Sequence, residues 1–426
     1  KRQAQEDLNI TLSERQKEAV RMVFANPICI ITGGPGTGKT TVLKVILYIY
    51  QKKCGNEVKL MAPTGRAARR MAESTGSGDA TTMHMALGLF GDGDYEALID
   101  ELSADFINVD EVSMVDMHLA YEFFYKVKAG ARVLLVGDVH QLPSVGAGDV
   151  FRHLILCGKI PVTVLKLVYR QGKDSNIPIN AQLINEGKTN LQWGDDFQMV
   201  ECSGADAAAQ IVKNIYLKEI QMYGMEQVQI LSPYKVRSAA GVLELNRSLQ
   251  DEVNPPVSGK RELHLGGEIF REGDRILQNK NTEFASNGDL GTLVQIAEDE
   301  DNNPLVQIVF TDGRRVKYEA EQVEMIEHAN AITIHKSQGS ECQVVIIPWL
   351  KAFYPMLKRN IFYTGITRAK QRVYIVGEWK AVCQAIHTDD TGTRKTMLAV
   401  KIQQYCERYQ RQENRRISAT ICNRAV

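Results

Sequence analysis

The sequence predicts an α/β protein with two parallel-sheet lobes and a small all-β module inserted in the second lobe. Three observations predict it: the length of 426 residues, short apolar runs that alternate with helical stretches, and one region in which this alternation stops. A chain of this length exceeds one ordinary hydrophobic core and indicates two or three domains. Strands that alternate with helices form parallel sheets, which bind ligands at the carboxyl ends of their strands.

The first lobe is predicted over residues 1–165. Its strands are short β-branched runs separated by helical stretches, namely PICIIT, VKLMAPT, DFINVDE, ARVLLVGD and IPVTVLKL. Residues 88–105, GLFGDGDYEALIDELSAD, interrupt this pattern with glycines and carboxylates. We therefore predict a small insertion there.

The second lobe is predicted over residues 166–254 and 328–390, with the strands QVQILSPY, CQVVIIPW and RVYIVGE. The intervening residues 255–327 change to short alternating strands broken by Gly-Asp, Asn-Gly and Asp-Gly turns, which is typical of a small β-barrel or meander. Residues 391–426 are locally basic and predict a helix with a tail. This helix either contacts nucleic acid or presents a solvated face.

Composition excludes some classes of protein. The 51 basic and 51 acidic residues give no basic excess of the kind that nucleic-acid-binding proteins usually show, although a local groove stays possible. No apolar run reaches the roughly 18 residues of a membrane span. Eight scattered cysteines without a CxxC pair indicate reduced thiols in a cytoplasmic protein without structural zinc. Because the first residue is not methionine, we expect a further amino-terminal region.

Residues 33–40, GGPGTGKT, carry the strongest chemical signal. They fit the pattern G-x-x-x-x-G-K-[ST], follow the strand PICIIT and precede the helical stretch TVLKVILYIY. Backbone N–H groups of such a loop surround phosphates, its lysine reaches the terminal phosphates, and its last hydroxyl binds Mg²⁺. We therefore predict a nucleoside triphosphate site in which Lys39 and Thr40 have these two roles.

Two further strand ends complete this chemistry. The strand FINV ends in Asp110 and Glu111, one placed for the water shell of the metal and the other for the attacking water. A pair of carboxylates in a solvated loop is the alternative. Residues 135–148, LVGDVHQLPSVGAG, place Gln141 after the next strand, within reach of the γ-phosphate.

Further stretches in a fixed order give the chain a family resemblance. They are TLSERQKEAV, APTGRAA, TTMHMALG, LVYRQG, TIHKSQGSE and YTGITRAK. With the phosphate loop, the carboxylate pair and the Gln141 stretch, they resemble the helicase motifs of superfamily 1, specifically its RecD-like branch (the RecD subunit of exodeoxyribonuclease V and its free-standing relatives). The resemblance covers essentially the whole chain. It implies two RecA-like P-loop lobes, an SH3-like β-barrel at 255–327 and a duplex-splitting hairpin at 88–105.

The resemblance also implies ATP hydrolysis between the lobes. The catalytic residues that it implies are Lys39, Asp110, Glu111, Gln141, Arg170 and Arg368. The nucleotide contacts that it implies are Gln16, Gly34, Pro35, Gly36, Thr37, Gly38, Lys39, Thr40, Thr41, Gln338, Gly339 and Glu341. Mg²⁺ is assigned to Thr40 and Asp110. A surface salt bridge is the alternative for each of the two arginines, and Lys370 and Arg372 are interpreted as solvated neighbours in the basic turn after Arg368.

Single-stranded DNA is the second ligand that the resemblance implies. The matching positions are Pro63, Thr64, Arg66, Thr82, His84, Ser232, Tyr234, Thr333, His335 and Lys336. Small hydroxyls and backbone groups hold phosphates without reading bases. Helix capping is the alternative for Thr64 and Thr82, and a hydrogen-bonded core position is the alternative for His84.

The predicted function is that of an ATP-dependent DNA helicase or translocase that moves 5′ to 3′ on single-stranded DNA and at duplex junctions, in repair or recombination. The polarity follows from the resemblance alone, and the acidic insertion suits duplex contact poorly. Two alternatives stay open: a helicase module of a larger nuclease or conjugation complex, and a turnover-deficient DNA-binding subunit. One chain supplies the whole motif set, so a monomer is sufficient, and repair or recombination proteins are the expected partners.

Overall fold

The computed structural model describes residues 2–53, 57–76, 78–89, 100–166, 175–282, 284–299, 303–390 and 396–422, with the single positions 301, 392 and 394. Arg170 and most of the predicted insertion, residues 90–99, lie outside the described residues. Within the described part of the chain, no helix combines the length and apolar character needed to cross a bilayer.

The first lobe is built on a six-stranded sheet in which all strands run parallel, in the order β3-β2-β4-β5-β1-β6. The strands are β1 (Ile28–Gly33), β2 (Val58–Ala62), β3 (Ala80–Thr82), β4 (Phe106–Val109), β5 (Arg132–Gly137) and β6 (Val162–Leu165). The helices are α1 (Arg2–Asp7), α2 (Glu14–Ala25), α3 (Lys39–Lys53), α4 (Gly65–Thr75), α5 (Met83–Ala86), α6 (Met117–Lys126) and α7 (Val150–Leu156). Two separate apolar clusters contain residues from neighbouring positions of the same strands, so both faces of the sheet are covered. All five predicted strands are confirmed, and β3 is an addition.

The second lobe has a five-stranded parallel sheet in the order β16-β8-β17-β18-β7. Its strands are β7 (Phe197–Glu201), β8 (Val228–Ser232), β16 (Ala331–Thr333), β17 (Cys342–Trp349) and β18 (Ala369–Gly377). Its helices are α8 (Asn176–Asn185), α9 (Ala205–Tyr223), α10 (Val242–Val253), α12 (Arg359–Ile366) and α13 (Trp379–His387). The three central strands match the prediction. The edge strands β7 and β16 were not predicted, because FQMVE mixes polar with apolar residues and β16 has only three residues.

The inserted module lies between α10 and β16 and has its own core around Phe270, Ile276 and Leu293. Five antiparallel strands pair in the order β14-β13-β12-β11-β15, and β9 forms a separate hairpin with β10. The elements are β9 (Glu262–Leu265), β10 (Glu268–Arg271), β11 (Arg275–Gln278), β12 (Leu290–Glu298), β13 (Pro304–Phe310), β14 (Arg315–Tyr318), α11 (Ala320–Val323) and β15 (Ile326–His328). The predicted fold class, two parallel-sheet lobes with a β module in the second, is confirmed.

The stretch YTGITRAK differs from its prediction as a turn. Tyr363 to Ile366 form the last turn of α12, and β18 begins at Ala369. Gly365 lies inside this helix because the helix packs closely on the sheet. A Cβ atom there would lie 3.1 Å from Cδ1 of Ile347. The glycine therefore serves close packing rather than a turn.

The carboxy-terminal helix α14 (Leu398–Cys422) returns to the first lobe. Leu398 and Ile402 pack against the core beside α7, and Nε2 of Gln403 donates to the carbonyl of Cys157 at 3.0 Å. Ahead of the helix, Nη1 of Arg394 donates to the carbonyls of Ser144, Gly146 and Gly148 at 2.7, 3.0 and 2.8 Å. One face of the basic helix is thus packed on protein.

Candidate active site

The phosphate loop joins β1 to α3 with its backbone facing a cavity. Gly36 and Gly38 have φ values of 72° and 83°, which side chains rarely adopt and glycine adopts readily. Oγ1 of Thr37 donates to the carbonyl of Gly34 at 2.7 Å. Nζ of Lys39 donates to the carbonyls of Gly33 and Gly34 at 2.6 and 3.1 Å, so the ammonium lies over the loop. This arrangement fits a phosphate chain held by backbone N–H groups and one lysine.

The cavity beside this loop measures about 270 Å³ and has walls from both lobes. The predicted site residues that line it are Pro35, Gly36, Thr37, Gly38, Lys39, Thr40, Thr41, Asp110, Glu111, Gln141, Gly339, Glu341 and Arg368. These predicted residues come from three segments of the first lobe and two of the second, and α4 of the first lobe also lines the cavity. Burying so many polar groups without partners would be costly. Their convergence on one cavity therefore indicates a charged ligand.

The carboxylate pair follows β4 directly. Burial and then the neighbouring charge of Glu111 raise the pKa of Asp110 to about 6, while the N–H of Glu111, Lys39 and Arg70 act in the opposite direction. Glu111 itself has a φ of 52°, which is uncommon for a residue with a side chain and marks a locally strained backbone. The paired carboxylates fit a site that a cation completes, since a cation would relieve their mutual repulsion.

Gln141 is buried after β5, and its amide is only partly paired. Nε2 donates to Oδ2 of Asp138 at 3.3 Å, whereas Oε1 has no hydrogen-bond partner among the described residues. A buried, unpaired amide oxygen is costly unless a ligand or water contacts it. Its place in the cavity fits a role at the γ-phosphate.

Arg368 comes from the second lobe, and 3% of its surface is exposed. Its guanidinium donates to the carbonyls of Thr364 and Ser340 at 3.1 and 3.2 Å and to Oγ1 of Thr367 at 3.3 Å. Burial lowers the pKa of Arg368, and Glu111 and Glu341 partly oppose this. The alternative prediction for Arg368, a surface salt bridge, is therefore wrong.

Arg70 on α4 was not predicted and lines the same cavity. Its Nη2 lies 2.7 Å from Oε1 of Glu341, which joins the two lobes across the site. Burial acts to lower the pKa of Arg70, but Glu341, Glu111 and Asp110 together raise it. The sequence carries one signal for this residue, since Arg70 lies four positions after Arg66 and therefore on the same side of the helix.

The interpretation of Lys370 and Arg372 as solvated neighbours is wrong, because each side chain lies against a carboxylate. Nζ of Lys370 lies 3.7 Å from Oε2 of Glu341, at the rim of the cavity. Nη1 of Arg372 pairs at 3.1 Å with Glu219, whose side chain is fully enclosed. Both lie on β18, two positions apart, and the pairing register of β18 with β17 shifts between Ala369 and Arg372, which lets the two side chains meet different neighbours.

Three predicted nucleotide contacts, Gly34, Gln16 and Gln338, are not among the residues that line the phosphate cavity. Gln16 is buried at the start of α2, where its Oε1 accepts from the N–H of Ser13 at 3.0 Å and its Nε2 donates to the carbonyl of Thr37 at 3.3 Å. It lines a second cavity of about 320 Å³ beside the phosphate loop, where a base could lie. Nε2 of Gln338 donates to the carbonyl of Leu142 at 3.0 Å, so it bonds the other lobe instead of the phosphate cavity.

The predicted DNA contacts of the first lobe lie at the starts of two helices. Oγ1 of Thr64 accepts from the N–H of Ala67, and Oγ1 of Thr82 accepts from the N–H of Met85, so both residues cap helices as the alternative proposed. Arg66 has a buried Nη1 without a partner among the described residues, and burial lowers its pKa to about 10. Such a group fits an anionic ligand. Pro63 and His84 are half-buried beside these caps.

The structure contradicts one predicted DNA contact of the second lobe, and the others stay predictions. Ser232 is fully enclosed and donates to the carbonyl of Ala240 at 2.9 Å, so its predicted contact with DNA is wrong. Tyr234 stacks on Phe353 with 4.9 Å between ring centres. Lys336 pairs with Glu327 of the β module at 3.0 Å. Thr333 and His335 are half-buried, and burial lowers the pKa of His335.

Comparison with known proteins places this geometry in a family. Three family models match the chain: an AAA domain at residues 11–205, a UvrD-like helicase C-terminal domain at 328–376, and the SH3 domain of ATP-dependent RecD-like DNA helicases at 245–310. The chain belongs to the RecD-like helicases of superfamily 1. The third model, specific to this branch, falls on the inserted β module of this RecD-like chain.

Two curated relatives show the extent of the match. The chain is 35% identical over 370 residues to the ATP-dependent RecD2 DNA helicase of Deinococcus radiodurans, which covers 87% of the chain and 50% of the relative. It is 28% identical over 433 residues to the RecBCD enzyme subunit RecD of Mycolicibacterium smegmatis, covering 90% of the chain and 75% of the relative. The chain thus spans about half the length of the Deinococcus relative.

Solved structures agree with this RecD-like fold. The Pif1 helicase of Candida albicans matches with a TM-score of 0.54 at 18% identity, covering 94% of this chain and 100% of that one. A Pif1 helicase from Bacteroides, in complex with ADP-AlF3 and single-stranded DNA, also matches with a TM-score of 0.54, at 17% identity, covering 93% of this chain and 98% of that one. At such identities the similarity shows the fold alone.

Proposed function

We propose that the chain acts in the cytoplasm as an ATP-dependent DNA helicase motor, which hydrolyses ATP between its lobes and moves 5′ to 3′ on single-stranded DNA in repair or recombination. The observation that supports this most is the shared cavity. Lys39, Glu111 and Gln141 face it from the first lobe, and Glu341 and Arg368 face it from the second. Hydrolysis at such a site is coupled to the arrangement of the lobes.

Mg²⁺ fits this site with Thr40 and Asp110 as its protein groups. No group of three or more His, Cys, Asp or Glu side chains suited to a metal occurs in the described part of the chain. A magnesium ion on a nucleotide needs one or two protein groups, because phosphates and waters complete its shell. Bound there, it would neutralise phosphate charge during the transfer.

The residues of the chain divide the remaining chemistry. Lys39 and Arg368 stabilise the charge of the transferring phosphoryl group, and Arg170 is proposed to join them. Glu111 orients the attacking water and accepts its proton. Asp110, Gln141 and the helix start at Lys39 fix the reacting groups in place, so that little reorganisation is needed.

Movement would follow from two grips on DNA that alternate. Pro63, Thr64, Arg66, Thr82 and His84 would hold the strand on the first lobe, and Tyr234, Thr333, His335 and Lys336 would hold it on the second. ATP binding favours the closed arrangement and hydrolysis releases it. The direction, 5′ to 3′, is transferred from the resemblance to the RecD-like branch. Because one chain supplies both walls of the cavity, we propose that a monomer is sufficient.

A second candidate is a helicase subunit of a larger nuclease complex. The match to a protein named as a RecBCD subunit favours it. In that case the chain would need partner proteins for cleavage while it keeps the same motor chemistry. The turnover-deficient alternative is disfavoured, since the described catalytic residues Lys39, Asp110, Glu111, Gln141 and Arg368 all face one cavity.

ATPase activity with and without single-stranded DNA tests the proposal. We expect DNA to raise kcat at least about tenfold, and Lys39→Ala to lower it by about a hundredfold or more. Lys44→Ala, on the same helix α3 but outside the cavity, is the matched control and should keep wild-type turnover. Turnover that ignores DNA, or that survives Lys39→Ala, would contradict the motor. Unwinding of a duplex with a 5′ tail but not with a 3′ tail then tests polarity.

A further inference from the structure

The loop after β5 carries Gln141, and three of its hydrogen bonds are made with the second lobe. The N–H of Leu142 donates to Oγ1 of Thr364 at 3.0 Å, and the carbonyl of Leu142 accepts from Gln338 at 3.0 Å. Three residues before Gln141, Oδ2 of Asp138 accepts from the hydroxyl of Tyr363 at 2.8 Å. Residues on both sides of Gln141 are thus contacted by the opposite lobe.

Asp138 has two side-chain donors for one oxygen. Its side chain is fully enclosed, and its Oδ2 accepts both from Tyr363 at 2.8 Å and from Nε2 of Gln141 at 3.3 Å. Oδ1 accepts from the N–H of His140 at 3.1 Å. A buried carboxylate needs such donors, and a charged acceptor strengthens each bond. Both bonds to Oδ2 are made at once, because a carboxylate oxygen can accept from two donors, and the shorter bond belongs to Tyr363.

Tyr363 stands close to the phosphate loop and in the same segment as Arg368. A Cβ atom on Gly34 would lie 3.0 Å from the hydroxyl of Tyr363. Nε of Arg368 donates to the carbonyl of Thr364, which follows Tyr363 in α12. A movement that brings Arg368 into the cavity therefore brings the Tyr363 hydroxyl onto Asp138. Burial and the charge of Asp138 raise the pKa of Tyr363 well above its usual value, so the phenol keeps its proton.

We propose that Tyr363 is a positioning residue for hydrolysis: on lobe closure its hydroxyl bonds Oδ2 of Asp138 and so fixes the carboxylate that holds the Gln141 amide for the γ-phosphate. This inference rests on the proposed function and assigns to Tyr363 the step that makes hydrolysis depend on the lobe arrangement. With the lobes apart, Asp138 loses the bond from Tyr363, and the carboxylate that orients the Gln141 amide is held less firmly.

Tyr363→Phe is the direct test, because it removes the hydroxyl and keeps the ring. We expect kcat in the presence of DNA to fall about tenfold, the loss expected for one hydrogen bond to a charged group. The KM for ATP should change less than about twofold, since Tyr363 acts on the sensor and not on nucleotide binding. Tyr216→Phe is the matched control: this second-lobe tyrosine is also fully enclosed and donates to Asn330 at 3.0 Å. It should leave kcat and KM unchanged.

A double-mutant cycle separates positioning from mere packing. In a Gln141→Ala background, Tyr363→Phe should lower kcat no further, because it acts through Gln141. Losses that multiply would overturn the proposal, as would equal losses of turnover with and without DNA. Asp138→Asn, which removes the charge that accepts from both donors, should also lower the ratio of DNA-stimulated to basal turnover, and an unchanged ratio would overturn the proposal.

The outcomes distinguish this inference from the proposed function. A wild-type chain that DNA does not stimulate would overturn the proposed function and the role of Tyr363 together. A stimulated wild type with equal stimulation in Tyr363→Phe would overturn the role of Tyr363 alone. Thermal melting of each variant, followed by circular dichroism, shows whether a loss of activity reflects a loss of fold.

Discussion

Two loops reach the cavity from the same sheet edge of the first lobe, and they are held in different ways. The phosphate loop bonds within its own lobe, through Thr37 to Gly34, Lys39 to Gly33, and Gln16 to Thr37. The loop over residues 138–148 has bonds within the first lobe, such as the N–H of Val139 to Oγ1 of Thr32, and in addition bonds to the second lobe at its start and to the carboxy-terminal segment at its end.

This difference separates binding from sensing. A loop that is complete within one lobe keeps its shape whatever the other lobe does, so the grip on phosphate is a property of the first lobe. A loop whose carbonyls and carboxylate depend on another lobe changes when that lobe moves, which suits the residue that reports on the γ-phosphate. Single substitutions can therefore impair phosphate binding and sensing of the γ-phosphate separately.

The largest effect is expected for Glu111→Gln, which removes the proton acceptor and leaves the phosphate loop intact. We expect kcat to fall about a hundredfold to a thousandfold, the usual contribution of a general base. The affinity for ATP, measured with a fluorescent analogue, should change less than about threefold. Glu73→Gln, an exposed carboxylate on α4, is the control and should keep full turnover. A parallel loss of ATP binding would mean that binding and hydrolysis are not separable at this site.

An intermediate effect is expected for Arg394→Ala, which frees the end of the loop over residues 138–148. One guanidinium nitrogen serves three carbonyls there, so its loss removes about 2 kcal/mol of local stabilisation. We expect DNA-stimulated kcat to fall about fivefold and the protection of this loop in hydrogen exchange to drop. Arg408→Ala, an exposed position on α14, should change neither. Unchanged exchange in Arg394→Ala would show that the loop does not need this anchor.

The smallest effect is expected for Arg70→Gln, which removes a cation from the cavity and the ion pair with Glu341. The side chain is 43% exposed, so solvent weakens the interaction, and we expect the KM for ATP to rise about threefold. The adjacent Arg69→Gln is the control, because Arg69 pairs with Asp289 and Asp312 of the β module instead. An equal change in both variants would mean that the ion pair with Glu341 has no special role.

Sequence reasoning found the residues that lie next to one another in the chain. The phosphate loop, the Asp110–Glu111 pair and Gln141 each follow a strong central strand, and the parallel sheet then brings their ends together. Glu341 and Arg368 came from the family resemblance. Nothing in their own stretches indicates that they meet a phosphate loop that lies more than 300 residues earlier in the chain. For the fold, the central strands and the apolar edge strand β6 were predictable, whereas the edge strands β3, β7 and β16 were not.

The residues that sequence reasoning missed act across the lobes. The roles of Arg70 and Tyr363 depend on the helix face on which each lies and on a partner in the other lobe. Ser232 was misassigned for the same reason, because its hydroxyl is enclosed by the turn that leads to Ala240. The helix at Tyr363–Ile366 was hidden by Gly365, a residue that normally interrupts helices and here lets one approach the sheet. Packing, rather than local preference, decides such positions.

The return of α14 to the first lobe has a mechanical consequence. The chain leaves the first lobe after β6 and comes back to it at Leu398, so the second lobe is tethered on two sides. A body tethered at two separated points turns most easily about the line that joins them. The double tether thereby favours a hinge with one axis, and each cycle of ATP would repeat the same arc instead of sampling many.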